Sequence, residues 1–150
     1  MCFMLYAGTA KPIPCDGGMH RSSELPVSPP EESGSRIKAY FSTPEVQRIG
    51  STSGCGCEFP HLLFRNGEWA KPEDAEWDDR ETRSMEMLIA LLQTTREAVI
   101  ELCGIYLGGG EDSADAPRFH KDVPLDRLLD GSFHFKEDGL YRVSLPTQAD

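Results

Sequence analysis

Positive charge is scarce in this chain: 15 Lys and Arg stand against 25 Asp and Glu, a net charge of −10 over 150 residues. Nucleic acid and anionic membrane faces require clustered positive charge, so the composition argues against both as partners. Long apolar runs are missing as well. The longest stretch without strongly polar residues is Met1–Gly8, far short of the ~20 apolar residues of a membrane-spanning helix. It has no basic start, so it reads as the first strand of a mature chain and not as a secretory signal. Cysteine is sparse and odd in number, five in all: Cys2, Cys15, Cys55, Cys57 and Cys103. A secreted disulfide scaffold would carry an even and denser set, so thiols in a reducing cytosol are the simplest account and the expected location is cytoplasmic. Internal repeats and heptads are absent too.

Hydrophobic residues make up 39 % of the chain, and at this length one domain with a real core is expected over residues 1–150. Cys2–Tyr6 is a short apolar strand. Residues 14–35 collect Pro14, Gly17, Gly18, Pro26, Pro29, Pro30 and Gly34 with five serines. They predict a long surface loop, with a short edge strand at Glu24–Val27 where Pro26 is tolerated. Arg36–Phe41 alternates, with Ile37, Ala39 and Phe41 on one face, and predicts a half-buried strand. Thr43-Pro44-Glu45 supplies a cap, a proline at the first helical position and a first-turn acid. With Gly50 as a stop, these predict a short helix over Pro44–Ile49.

Asn66-Gly67, between Leu62–Phe64 and Glu68–Trp69, predicts a hairpin. Residues 67–81 carry seven acids against two bases and form a solvated connection, ending in the capping-box pair Asp78 and Glu81. Met85, Leu88, Ile89 and Leu92 then recur at i, i+3, i+4 and i+7, opposite Arg83, Glu86, Ala90, Gln93 and Glu97. This is an amphipathic helix of about four turns. Ala98–Leu107 predicts a central strand. Asp122–Asp130, closed by Gly131, predicts a short helix, and Phe133–Phe135 with Leu140–Leu145 predicts a hairpin. The expected architecture is α+β, a mostly antiparallel sheet packed on one long amphipathic helix.

Chemistry concentrates in Cys55-Gly56-Cys57 with His61 four residues on. Thiolates and imidazole are the ligands that zinc prefers, so Cys55, Cys57 and His61 are the candidate metal set. A single C-x-C leaves the fourth ligand to Cys2, Cys15, His120 or a carboxylate, and small cysteines packed in a glycine-rich turn are the simpler account of the pattern. Cys57 is also a candidate nucleophile, with His120 or His134 as base and Asp122, Asp126 or Asn66 as orienter. Cys2 after Met1 resembles the start of N-terminal-nucleophile amidotransferases, in which the terminal amine serves as base. Phe3 stands where that pattern has glycine, and two residues assign no family. Gly50–Gly54 has threonine where a nucleophile elbow needs serine, and Gly108–Gly110 lacks the lysine of a phosphate loop.

The reading that follows is a small acidic cytosolic protein acting by binding a protein or small-molecule partner, with Trp69 and Trp77 as candidate contact residues. The alternative is a thiol- or zinc-dependent enzyme centred on Cys55-Gly56-Cys57.

Overall fold

The computed structural model describes residues 2–14, 25–29, 35–51, 56–69, 76–107 and 116–146. Its elements, in chain order, are β1 (Cys2–Thr9), β2 (Val27–Ser28), α1 (Ser35–Lys38), β3 (Glu45–Ile49), β4 (His61–Leu62), β5 (Phe64–Arg65), β6 (Glu68–Trp69), α2 (Asp79–Thr94), β7 (Val99–Leu107), β8 (Phe119–Pro124), β9 (Phe135–Lys136) and β10 (Gly139–Ser144). Two 3₁₀ turns, Gly56–Glu58 and Leu125–Leu129, lie among them. Among the described residues, six strands form one sheet in the order β2-β3-β1-β7-β10-β8. Every neighbouring pair is antiparallel except β8 with β10. The protein is thus a single small α+β domain whose sheet is mostly antiparallel.

The most apolar segments occupy the middle of the sheet. β1 pairs with β3 on one side and with β7 on the other, and β7 pairs with β10. Because strand side chains alternate, one face carries Phe3, Leu5, Ala7, Ile49, Ile100, Leu102, Tyr141 and Val143 against α2. The other carries Tyr6, Val46, Cys103, Ile105 and Leu140, covered by Ile37 and Phe41. Helix α2 forms as its spacing dictates: Met85, Leu88, Ile89 and Leu92 are buried, and Asp78 and Glu81 close a reciprocal capping box. Asn66 and Gly67 take φ of 54° and 78°, the positive values of a two-residue hairpin turn, and join β5 to β6.

Four segments depart from the sequence reading. Arg36–Phe41 is not a strand: α1 and a following turn occupy it, with Tyr40 N–H donating to Ile37 O at 3.0 Å. Ile37 and Phe41 lie four residues apart, so one helical turn buries both as well as an alternating strand would. Pro44–Ile49 is not a helix but contains β3, which takes ladder bonds from β1 and β2. A cap contributes only about 1 kcal/mol, and pairing along both edges outweighs it. The strand also looks non-alternating because it is buried on both faces; the Gln47 amide is satisfied by exchanging bonds with Ile13 N–H (2.7 Å) and Ile13 O (2.8 Å).

Asp122–Asp130 holds the end of β8 and a 3₁₀ turn in place of a helix. β8 escapes a hydrophobic pattern because it is a sheet edge whose His120, Lys121 and Asp122 are all exposed. Last, β9 does not pair with β10. It runs parallel to β4, His61 opposite Phe135, while β10 inserts between β7 and β8. The long loop is described only in part: β2 overlaps the expected edge strand, and residues 15–24 and 30–34 lie outside the described residues.

The helix face gives a direct test. Leu88 is fully buried and Gln93 is exposed. Leu88→Ala is expected to cost about 2–5 kcal/mol and Gln93→Ala less than about 0.5 kcal/mol in denaturant melts; equal losses would refute the packing of α2 on the sheet.

Candidate functional site

The segment carrying Cys57 and His61 is fastened to β1 at several points. Gly56 is buried so closely that a Cβ built on it would lie 2.4 Å from Phe3 O. Only glycine lets the backbone come this near. Phe59 is buried edge-to-face against Phe135, ring centroids 6.4 Å apart. Phe135 N–H donates to Pro60 O (2.8 Å) and Glu137 N–H to Leu62 O (2.9 Å). These bonds hold β4 beside β9.

His61 is the most constrained polar ring of this segment. It stacks on Phe3 with centroids 4.3 Å apart and planes 7° from parallel. Its Nδ1 lies 2.6 Å from Phe59 O. A carbonyl oxygen can only accept, so Nδ1 carries the hydrogen, and Nε2 is the nitrogen left for another partner. Histidines that bind metal or take up protons commonly have one nitrogen held in this way. Cys57 sits on the preceding 3₁₀ turn with its residue exposed, whereas Cys55 lies outside the described residues. No group of three or more His, Cys, Asp and Glu suited to a metal ion occurs among the described residues.

His120 is elsewhere. It is exposed on β8, in register with Leu140, and therefore on the sheet face opposite α2. The turn bearing Cys57 packs on β1 and α2. β8 stands three strands from β1, roughly 14 Å at the usual inter-strand spacing. The structure therefore brings His61 and Cys57 into one segment and does not bring His120 to them. His134 is half-buried, with Nδ1 2.8 Å from Ser132 O. Asn66 is an exposed hairpin residue, Asp126 an exposed position of the second 3₁₀ turn, and Asp122 an exposed neighbour of Arg142 across β10. Cys2 opens β1 opposite Leu107; Cys15 lies outside the described residues.

Both tryptophans brace the core. Trp77 Nε1 donates to Phe133 O at 2.8 Å, and Trp69 Nε1 to Glu137 O at 3.2 Å. Trp69 meets Phe119 edge-to-face, and the ammonium of Lys136 lies 5.1 Å above its ring.

The sequence reading missed a set of buried polar groups on the far side of the sheet. Glu101, 3 % exposed on β7, accepts from both the N–H and the hydroxyl of Ser42. Asp138, 4 % exposed with φ 63°, pairs with Arg118 at 3.2 Å and donates its N–H to Gly104 O at 2.8 Å. Nothing in the spacing of these residues announces such bonds, because their partners come from distant segments. Cys103 lies among them, its thiol pushed up to about 12 by burial first and by the charges of Asp138 and Glu101 next. Tyr141 is also raised to about 12 by burial, against the lowering effect of the Lys136 N–H bond to its hydroxyl.

Next to this set, the β10–β8 end of the same face is open. Asp122 stands opposite Arg142 and Arg142 opposite Glu101 in one cross-strand row, with His120 in the row beside it. His120, Asp122, Arg142 and Ser144 are all exposed.

Two outcomes are expected. Gly56→Ala drives a Cβ into backbone and should cost about 1–3 kcal/mol, read as a shifted denaturant midpoint. The Cys103 thiol titrates near 9 when unfolded and near 12 when folded. Between those values the unfolded chain has lost a proton that the folded chain keeps, so stability falls as pH rises through this window. Tyr141 adds to the same fall. Cys103→Ala should flatten the alkaline loss without abolishing it, measured by unfolding at pH values below and above 9; an unchanged slope would place Cys103 in a less buried setting. No protein-family model, no curated protein and no solved structure matches the chain.

Proposed function

We propose that this protein acts by binding a partner, protein or small molecule, through the open half of the sheet face opposite α2. The supporting observation is exposed Arg142, which stands in register between exposed Asp122 and buried Glu101, with exposed His120 and Ser144 on the same face. Donors and acceptors mounted on adjacent strands keep their spacing without cost in loop ordering, which favours recognition of a polar group. A net charge of −10 steers the reading away from nucleic acid, and the odd set of thiols supports a cytoplasmic setting. No described helix is long and apolar enough to cross a membrane.

The test uses the guanidinium. Affinity capture with the full chain and with Arg142→Glu, from matched extracts, should recover a partner that the variant loses at least tenfold. Partners recovered equally by both, or none together with turnover in a substrate screen, would overturn the reading.

A second reading, a thiol- or zinc-dependent centre at Cys55, Cys57 and His61, is favoured by one specific observation: the Phe59 carbonyl and the Phe3 stack fix the His61 tautomer and ring plane. Such a centre would show stoichiometric zinc in protein purified without added metal, lost in Cys57→Ser, or rapid alkylation of Cys57. Metal-free protein with slow thiols would remove it.

A further inference from the structure

Each edge of the main sheet has its own character. At one end, β2 is two residues long and lies between Pro26 and Pro29, which cannot donate to a further strand. At the other end, β8 runs six residues, and beyond it no strand pairs with it among the described residues. Its sequence is Phe119-His120-Lys121-Asp122-Val123, closed by Pro124. Lys121 shares a face with Phe119 and Val123, and His120 shares the other with Asp122, as their register on β10 requires.

We infer that β8 pairs antiparallel with β8 of a second copy of this chain, about a two-fold axis at Lys121. Residues directly opposite in an antiparallel pair point to the same side of the sheet, so the axis must pass through a residue and not between two. With the axis at Lys121, Phe119 lies opposite Val123 of the second copy, and His120 opposite its Asp122. By symmetry each pair occurs twice. Half-buried Phe119 meets the already buried Val123, and exposed imidazole meets exposed carboxylate. Only Lys121 meets its like, and long exposed stems let those two ammonium groups part. Moving the axis loses this match. At His120 it sets Phe119 against Lys121; at Asp122 it sets Lys121 against Val123 and the two Asp122 carboxylates against each other. The strand is therefore complementary to its own reverse in one register. The contact continues the sheet across two copies, and its short ladder puts it at the weak end of specific interfaces.

This inference goes beyond the partner-binding reading; the two share His120 and Asp122, and Arg142→Glu is the variant that separates them. Sedimentation equilibrium of the full chain over a wide concentration range should show a mass rising from 16.7 kDa toward twice that value. His120→Asp places two carboxylates opposite each other twice and should weaken the dimer about tenfold. The exchange His120→Asp with Asp122→His restores both opposite pairs and should recover wild-type association. Lys121→Thr removes the one like-charge pair and should tighten it. All three positions are exposed, and an unshifted thermal melt confirms that each variant is folded. A monomer at every concentration, a dimer indifferent to His120→Asp, or a double exchange that fails to recover association would overturn the inference. Loss of a captured partner in Arg142→Glu, with self-association unchanged, would leave it standing.

Discussion

The ring of Phe3 occupies the space that a side chain at residue 104 would need. A Cβ built on Gly104 would lie 2.1 Å from the tip of that ring, so the aromatic lies directly over β7. Much of the helix-side layer follows from this contact. The stack of Phe3 on His61 locates β4, β4 takes β9 as its parallel partner, and β9 brings Phe135 into the ring cluster with Phe59, Phe133 and Tyr141. An aromatic over a glycine recurs at Phe119 on Gly139 and at Phe41 on Gly8. Each replaces a side chain that the strand lacks with one from a neighbouring segment, and so gives the pairing a register that backbone bonds alone leave open.

On the other face, buried polar groups stand beside the apolar cluster of Tyr6, Ile37, Phe41, Val46, Cys103, Ile105 and Leu140. Glu101 holds the loop at Ser42, and Asp138 joins the approach to β8 to the turn before β10. Gln47 does equivalent work on the helix side, holding the chain at Ile13. A side chain that bonds the backbone of a remote segment ties down a loop without adding to the core. Removing it would leave a buried group unsatisfied, at a cost of about 1–3 kcal/mol.

Elements whose reason for existing is local were legible in the sequence. Helix α2 announces itself through the Asp78–Glu81 box and the Met85–Leu92 stripe, the β5–β6 turn through Asn66-Gly67, and β7 through an apolar run broken only by Glu101. The illegible elements owe their form to partners far along the chain. β3 is a strand because β1 and β2 flank it, despite a plausible helix start at Thr43-Pro44-Glu45. β8 is a strand because β10 accepts it, although His120, Lys121 and Asp122 face water. The candidate site divides the same way. Cys55, Cys57 and His61 stood out for their chemistry, but the stack of His61 on Phe3 and its bond to Phe59 O needed the fold to appear, as did the separation of His120 from Cys57.

The place of β10 between β7 and β8 has a consequence for how the chain assembles. Both neighbours precede it in sequence, and neither pairs with the other. As the polypeptide leaves the ribosome, β7 can join β1 across nearly a hundred residues, yet its second edge stays open until β10 arrives. β8 has no place in the sheet before then. The final ladder is therefore an insertion between two strands that do not pair with each other, not a hairpin growing outward. A nascent or truncated chain would present the apolar edge of β7 to its neighbours, so the interval before β10 docks is when this protein is most exposed to aggregation.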